Sequence, residues 1–224
     1  YETGAGLSAA KALDITNNTV TYAVPSDSEK VETTLAYSAK TNLSRGNDQA
    51  VIFYPARENG WGTLMFEDLW PAYGDYDFND LVVNYKMQLY PNNKNMVKEM
   101  ILGIRVKAIG GSLPYDLCLA IKGIKAGEID EFEKQESNNA LENADMELLN
   151  PGNSEKNPPI FRFNNIRTNT KAPKGFAFLN TDPDKKARIQ EGDMVNITFY
   201  ITFRNSIPQA DLTLDAFDFF IAKS

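Results

Sequence analysis

The chain has 224 residues, 42% of them hydrophobic, which is enough to fill the core of one large or two small domains. Thirty acidic against 23 basic residues give a net charge of -7, and Lys185, Lys186 and Arg188 are the only compact basic cluster, so nucleic acid is not expected as a partner. Histidine is absent, which removes Ser-His-Asp and Cys-His catalysis and the usual zinc, copper and non-haem iron ligand sets.

No window reaches the roughly eighteen consecutive apolar residues of a membrane-spanning helix. The first residues also lack the basic flank and apolar run of a signal peptide. The single cysteine, Cys118 in YDLCLAI, has apolar neighbours and reads as a buried, inert thiol.

In chain order, LSAAKALDI (7 to 15) has good helix formers and is a candidate short helix. Strands are predicted at 18 to 24, 50 to 55, 62 to 68, 80 to 90, 99 to 110 and 115 to 124, segments rich in Val, Ile, Phe, Tyr and Thr. Residues 126–159, charged and Asn-rich, read as a polar excursion with a short strand or turn inside one domain spanning 1–224. Two more strands follow at 160 to 166 and 194 to 203. In the last, Val195, Ile197, Phe199, Ile201 and Phe203 share one face, and Asn196, Thr198, Tyr200 and Thr202 the other, as in a half-buried antiparallel strand. Pro and Gly clusters punctuate the gaps, and the acidic loop NTDPD (180 to 184) reads as an ordinary turn. The expected fold is all-β: an antiparallel β-sandwich, jelly-roll-like, with little helix.

The segment WPAYGDYDFNDLVVNY (70 to 85) sets Asp75, Asp77, Asn79 and Asp80 against an apolar run. In extended or turning backbone Asp75, Asp77 and Asn79 project to one side, and a turn at Gly74 brings Glu67 or Asp68 back toward them. Unpaired beside LVV, these carboxylates would repel one another and resist desolvation; a divalent cation removes that cost. Calcium suits the set because it takes about six to eight oxygen ligands in loose geometry. The spacing is not that of an EF-hand, since Asp80 stands where Gly is needed and Lys86 where a bidentate Glu is needed. A plain acidic loop of Asx-turns is the alternative, and the ligand count favours the ion.

The stretch FEDLWPAYGDYDFNDLVVNYK (66 to 86) closely resembles the hallmark segment of the LruC-domain family. The resemblance is strongest over residues 50 to 122 and weaker over 160 to 222. It implies a β-rich domain of bacterial envelope or secreted proteins, at the outer-membrane surface or released, often on lipoproteins and without established enzymatic activity; any lipid anchor would lie outside this chain. Carried over, it implies Glu67, Asp68, Asp75, Asp77, Asn79 and Asp80 as calcium ligands. Asp215 and Asp218 are further candidates if the last strand folds back beside them. Family members continue past the final strand into a short His- and Pro-containing segment, so truncation at the C-terminus is expected.

Trp61, Trp70, Tyr73 and Tyr76 crowd the same region and, if exposed, would form a sugar-stacking platform beside the ion, although packing is their commoner use. Without histidine an enzyme would need a carboxylate pair, as in glycoside hydrolysis. Six oxygen donors so close together suit a cation better than two carboxyls with separated pKa values. The sequence therefore points to a non-catalytic, calcium-binding surface or envelope domain with a structural, adhesion or assembly role and an unidentified protein or glycan partner. A glycan-binding module is the alternative and a carboxylate hydrolase the third reading.

Overall fold

The structure, a computed structural model, describes residues 13–14, 19–22, 51–55, 60–69, 72, 75, 77–135, 144–149, 157–166, 174–179 and 196–223. Its spine is the hairpin of β5 (Leu81–Pro91) and β6 (Met96–Ala108). Asn92 sets the turn: its side-chain oxygen accepts the N–H groups of Lys94 and Met96 at 2.9 and 3.1 Å, and Asn95 takes φ 55°, a left-handed conformation that Asn tolerates.

Around this hairpin the first sheet adds β1 (Leu13–Asp14), β2 (Thr19–Tyr22), β3 (Ile52–Tyr54), β4 (Gly62–Phe66), β8 (Ile129–Lys134) and β11 (Asn196–Pro208). The order is β1-β2-β4-β5-β6-β11-β8, with β3 also pairing β5. The second sheet runs β12-β7-β10-β9, built from β7 (Tyr115–Ile121), β9 (Asp145–Leu148), β10 (Ile160–Asn164) and β12 (Phe217–Lys223). All pairings are antiparallel.

The two sheets close face to face on aromatic rings. Tyr85 of β5 meets Phe219 of β12 at 5.0 Å, Phe163 of β10 meets Phe199 of β11 at 4.9 Å, and Phe132 of β8 meets Phe161 of β10 at 5.5 Å. The period-two pattern of β11 does what alternation dictates: Ile197, Phe199, Ile201 and Phe203 are fully buried in the inter-sheet core. The fold is thus an all-β sandwich.

Two readings are corrected. Leu13 and Asp14, inside the expected helix, pair with Val20 and Thr19 as strand; the rest of that segment lies outside the described residues. The 126–159 excursion contributes two strands, β8 at the edge of the large sheet and β9 at the edge of the small one. The centre of the large sheet is covered on both faces. Leu81 to Leu89 are buried on both faces, including Asn84, Lys86 and Gln88. Asn84 and Gln88 are hydrogen-bonded, as burial requires: Thr63 Oγ1 donates to Asn84 Oδ1 at 3.0 Å and Tyr90 donates to Gln88 Oε1 at 2.8 Å, while the Lys86 ammonium lies 5.3 Å from the Phe53 ring.

Cys118 is buried on β7, and burial pushes its thiol up to about 11 despite the opposing Arg162. Among the described residues no helix is long and apolar enough to cross a membrane.

Candidate metal centre

The acidic segment sits at one end of the sandwich, where β4 leaves and β5 enters the large sheet. Phe66 pairs with Leu81, so Glu67 and Asp80, which flank that pair, stand beside each other. That closure brings Glu67 and Asp68 beside Asp77 to Asp80. Two hydrogen bonds fasten it: the Asp68 N–H donates to Asp80 Oδ2 at 2.7 Å, and the Phe78 N–H donates to Glu67 Oε2 at 3.4 Å. Phe78 takes φ 53°, which turns its N–H toward Glu67 at a backbone conformation a bulky side chain disfavours.

Carboxylate oxygens converge in two groups. Glu67, Asp75 and Asp77 each offer an oxygen within 4.8 Å of the others, and so do Glu67, Asp68 and Asp80. Glu67 belongs to both and is buried, at 1% exposure, while Asp75 and Asp77 are exposed and Asp68 and Asp80 half-buried. Burial, reinforced by Asp80 and then by Asp75 and Asp77, pushes the Glu67 carboxyl up to about 7 against the lowering effect of the Phe78 N–H. Asp77 is raised too, first by loss of solvent on its protein side and then by the Asp75 and Asp80 charges, with the Asn79 N–H opposing.

Asn79 serves Asp77 directly: its backbone N–H donates to Asp77 Oδ1 at 3.3 Å and its side-chain amide donates to Asp77 Oδ2. Both groups are built of carboxylates, hard oxygen donors with a buried shared member and partly exposed partners. That donor chemistry fits calcium and not a soft or borderline metal.

The far wall of the loop is one that sequence reasoning missed. Gly110 and Gly111, read only as punctuation, donate their N–H groups to the carbonyls of Asn79 at 2.9 Å and Asp80 at 3.4 Å. A Cβ on Gly111 would stand 2.5 Å from Asp80 Oδ1 and 2.7 Å from Asp68 Oδ2, and one on Gly110 would collide with the Asn79 side chain. The signal was available: paired glycines ending a long strand mark a close backbone approach. Tyr115 adds a tether, donating its hydroxyl to the Asp68 carbonyl at 2.9 Å.

Other candidates are placed elsewhere. Asp218 of β12 forms a 2.9 Å ion pair with Lys122 and pairs in register with Ala120. That is five residues along β7 from Tyr115, roughly 16 Å at strand rise, and neither Asp218 nor Asp215 joins either carboxylate group. Trp61 is buried at 8% exposure, packed with Ile101, Tyr90 and Tyr200, and stacked 4.0 Å from the Arg105 guanidinium. It is a packing residue, not a sugar platform. Trp70, Tyr73, Tyr76, Gly74, the 180 to 184 loop and the Lys185 to Arg188 cluster lie outside the described residues.

Among known proteins, no curated sequence matches the chain. A crystal structure of a "Putative lipoprotein from Bacteroides ovatus" is similar at 17% identity and a TM-score of 0.44, over 75% of this chain and 55% of that one, so this chain spans about half the length of that protein. A family model described as "Domain of unknown function (DUF4842)" matches residues 95–224, from β6 to the last strand. The glycine wall and Tyr115 fall inside that span and the carboxylates just before it. With more than half of its length matched, the chain belongs to the DUF4842 family.

Proposed function

We propose that this β-sandwich is a calcium-stabilised, non-catalytic domain of the bacterial cell surface or envelope, acting in adhesion, assembly or envelope architecture. The observation that carries the calcium reading is the buried Glu67 carboxyl shared by two groups of converging carboxylates. A buried carboxylate surrounded by four others is unfavourable as an anion, and a bound dication reverses the sign of its surroundings. The resemblance of residues 66 to 86 to the LruC-domain segment supports both the ion and the envelope setting. Calcium would pin the 67–80 loop to the start of β5 and to the glycine wall.

Thermal melts in calcium and in chelator test this reading. Ligand at about 100 times its Kd stabilises the folded state by about 2.7 kcal/mol, which shifts Tm by several degrees in a chain of this size. Identical midpoints at millimolar calcium and in chelator would remove the metal from the proposal.

A further inference from the structure

Among the described residues five large apolar side chains are exposed: Leu69, Leu113, Leu149, Phe176 and Phe178. Four of them stand on the three segments that converge on the carboxylates. Leu69 follows Asp68. Leu113 lies two residues beyond Gly111, whose N–H is bonded to Asp80. Phe176 and Phe178 lead into Leu179, which bridges Ile109 and accepts its N–H at 2.8 Å. Single exposed apolar residues are ordinary, but a gathering at one end of a fold marks an interaction surface.

Lysines share that end. Lys107 lies at the register shift where β6 meets Val82 and Val83, Lys223 pairs with Tyr115, and Lys174 opens the segment that carries the two phenylalanines. Lys174 and Lys223 are exposed.

We propose that this end of the sandwich docks on an anionic lipid surface when its cation site is filled. Phe176, Phe178, Leu69 and Leu113 enter the headgroup layer, while the lysines and the cation meet lipid phosphates. The inference rests on the calcium reading above. Glu67, Asp68, Asp75, Asp77, Asp80 and Asp116, which pairs with Ala222 beside Lys223, outnumber the three lysines, so without metal this end repels phosphate, in keeping with the net charge of -7. One divalent cation removes most of that excess, and coordination positions that the protein leaves to solvent can be taken by phosphate oxygens. The occupant is a membrane because the apolar side chains stand on separate loops among lysines, the pattern of interfacial insertion. A peptide would call for a strand edge or a groove.

The test is sedimentation with vesicles of phosphatidylcholine alone or mixed with phosphatidylglycerol, in calcium and in chelator, with thermal melts run on the same samples. The expected result is co-sedimentation only with the anionic vesicles and only in calcium. Replacing both aromatics, Phe176→Ala with Phe178→Ala, should weaken partitioning by about tenfold or more, since binding scales with inserted apolar area, and leave the calcium-induced Tm shift intact. A protein that calcium stabilises but that stays in the supernatant overturns the docking and leaves the metal site standing. Calcium-dependent self-association without lipid overturns it in favour of a second copy. Absence of any calcium shift removes both readings.

Discussion

The backbone N–H of Asp68 donates to Asp80 Oδ2 at 2.7 Å, tying the exit of β4 to the entry of β5 across a twelve-residue separation. That bond holds two carboxylates of the same sign at the mouth of one loop. The arrangement has several measurable consequences.

Replacing Glu67 by Gln removes the one acidic group common to both carboxylate clusters. In chelator the variant should melt at or above the parent at neutral pH, because a buried charge among like charges has been neutralised. Its calcium-induced Tm shift should largely vanish. Melting curves of both proteins, with and without calcium, check the two halves separately.

The pH dependence follows from the same residue. In the folded chain Glu67 holds its proton up to about pH 7, against an ordinary value of 4.5. The unfolded chain therefore releases the proton first, so the contribution to stability is complete below about 4.5 and is lost as pH rises through about 7. In chelator Tm should fall across that window. With calcium the trend should reverse, since the metal needs the carboxylate and competes with the proton. Melts across the window, in each condition, show the divergence.

Gly111→Ala tests the wall. Its Cβ would meet Asp80 Oδ1 at 2.5 Å and Asp68 Oδ2 at 2.7 Å, which forces the loop away. A loss of about 1 to 3 kcal/mol by urea unfolding is expected, together with weaker calcium binding by titration calorimetry. Ser112→Ala, one residue on and exposed, should do neither.

Cys118 should resist thiol reagents in the native protein and react freely in urea. It is fully buried and its thiol is held up to about 11, so the reactive thiolate is both scarce and shielded. Rapid native labelling with a chromogenic disulfide would contradict this.

Phe163→Ala opens the inter-sheet core where that ring meets Phe199 at 4.9 Å. A loss of about 3 to 5 kcal/mol is expected, visible as a lower urea midpoint with an unchanged slope.

The strands were legible where side-chain period and burial coincide. β11 shows this best, since its apolar residues alternate and all point to one core. The central strand β5 was legible as a buried strand from its apolar run, whereas the burial of Asn84, Lys86 and Gln88 depends on Thr63, Phe53 and Tyr90. Thr63 and Phe53 are distant in sequence from the residues they meet, and Tyr90 is two residues from Gln88. β8 and β9 were hidden by their charge, which edge strands tolerate on the open side. Leu13 and Asp14 obeyed pairing with β2 over helix propensity.

The carboxylates were legible as a cluster because they crowd into residues 67 to 80. Their division into two groups around Glu67 was not, since it depends on the Phe66 to Leu81 pairing that closes the loop. Asp215 and Asp218 were candidates only on the condition that the last strand folds back beside the site. Register decides otherwise, placing Asp218 against Lys122 at the other end of β7.

The most direct measurement is a crystal structure grown in calcium, with anomalous scattering collected to identify the ion. An anomalous peak bonded to Glu67 and to oxygens of Asp75 and Asp77, or of Asp68 and Asp80, at about 2.3 to 2.6 Å with roughly six to eight ligands is the predicted result. Only water among these carboxylates at millimolar calcium would contradict it.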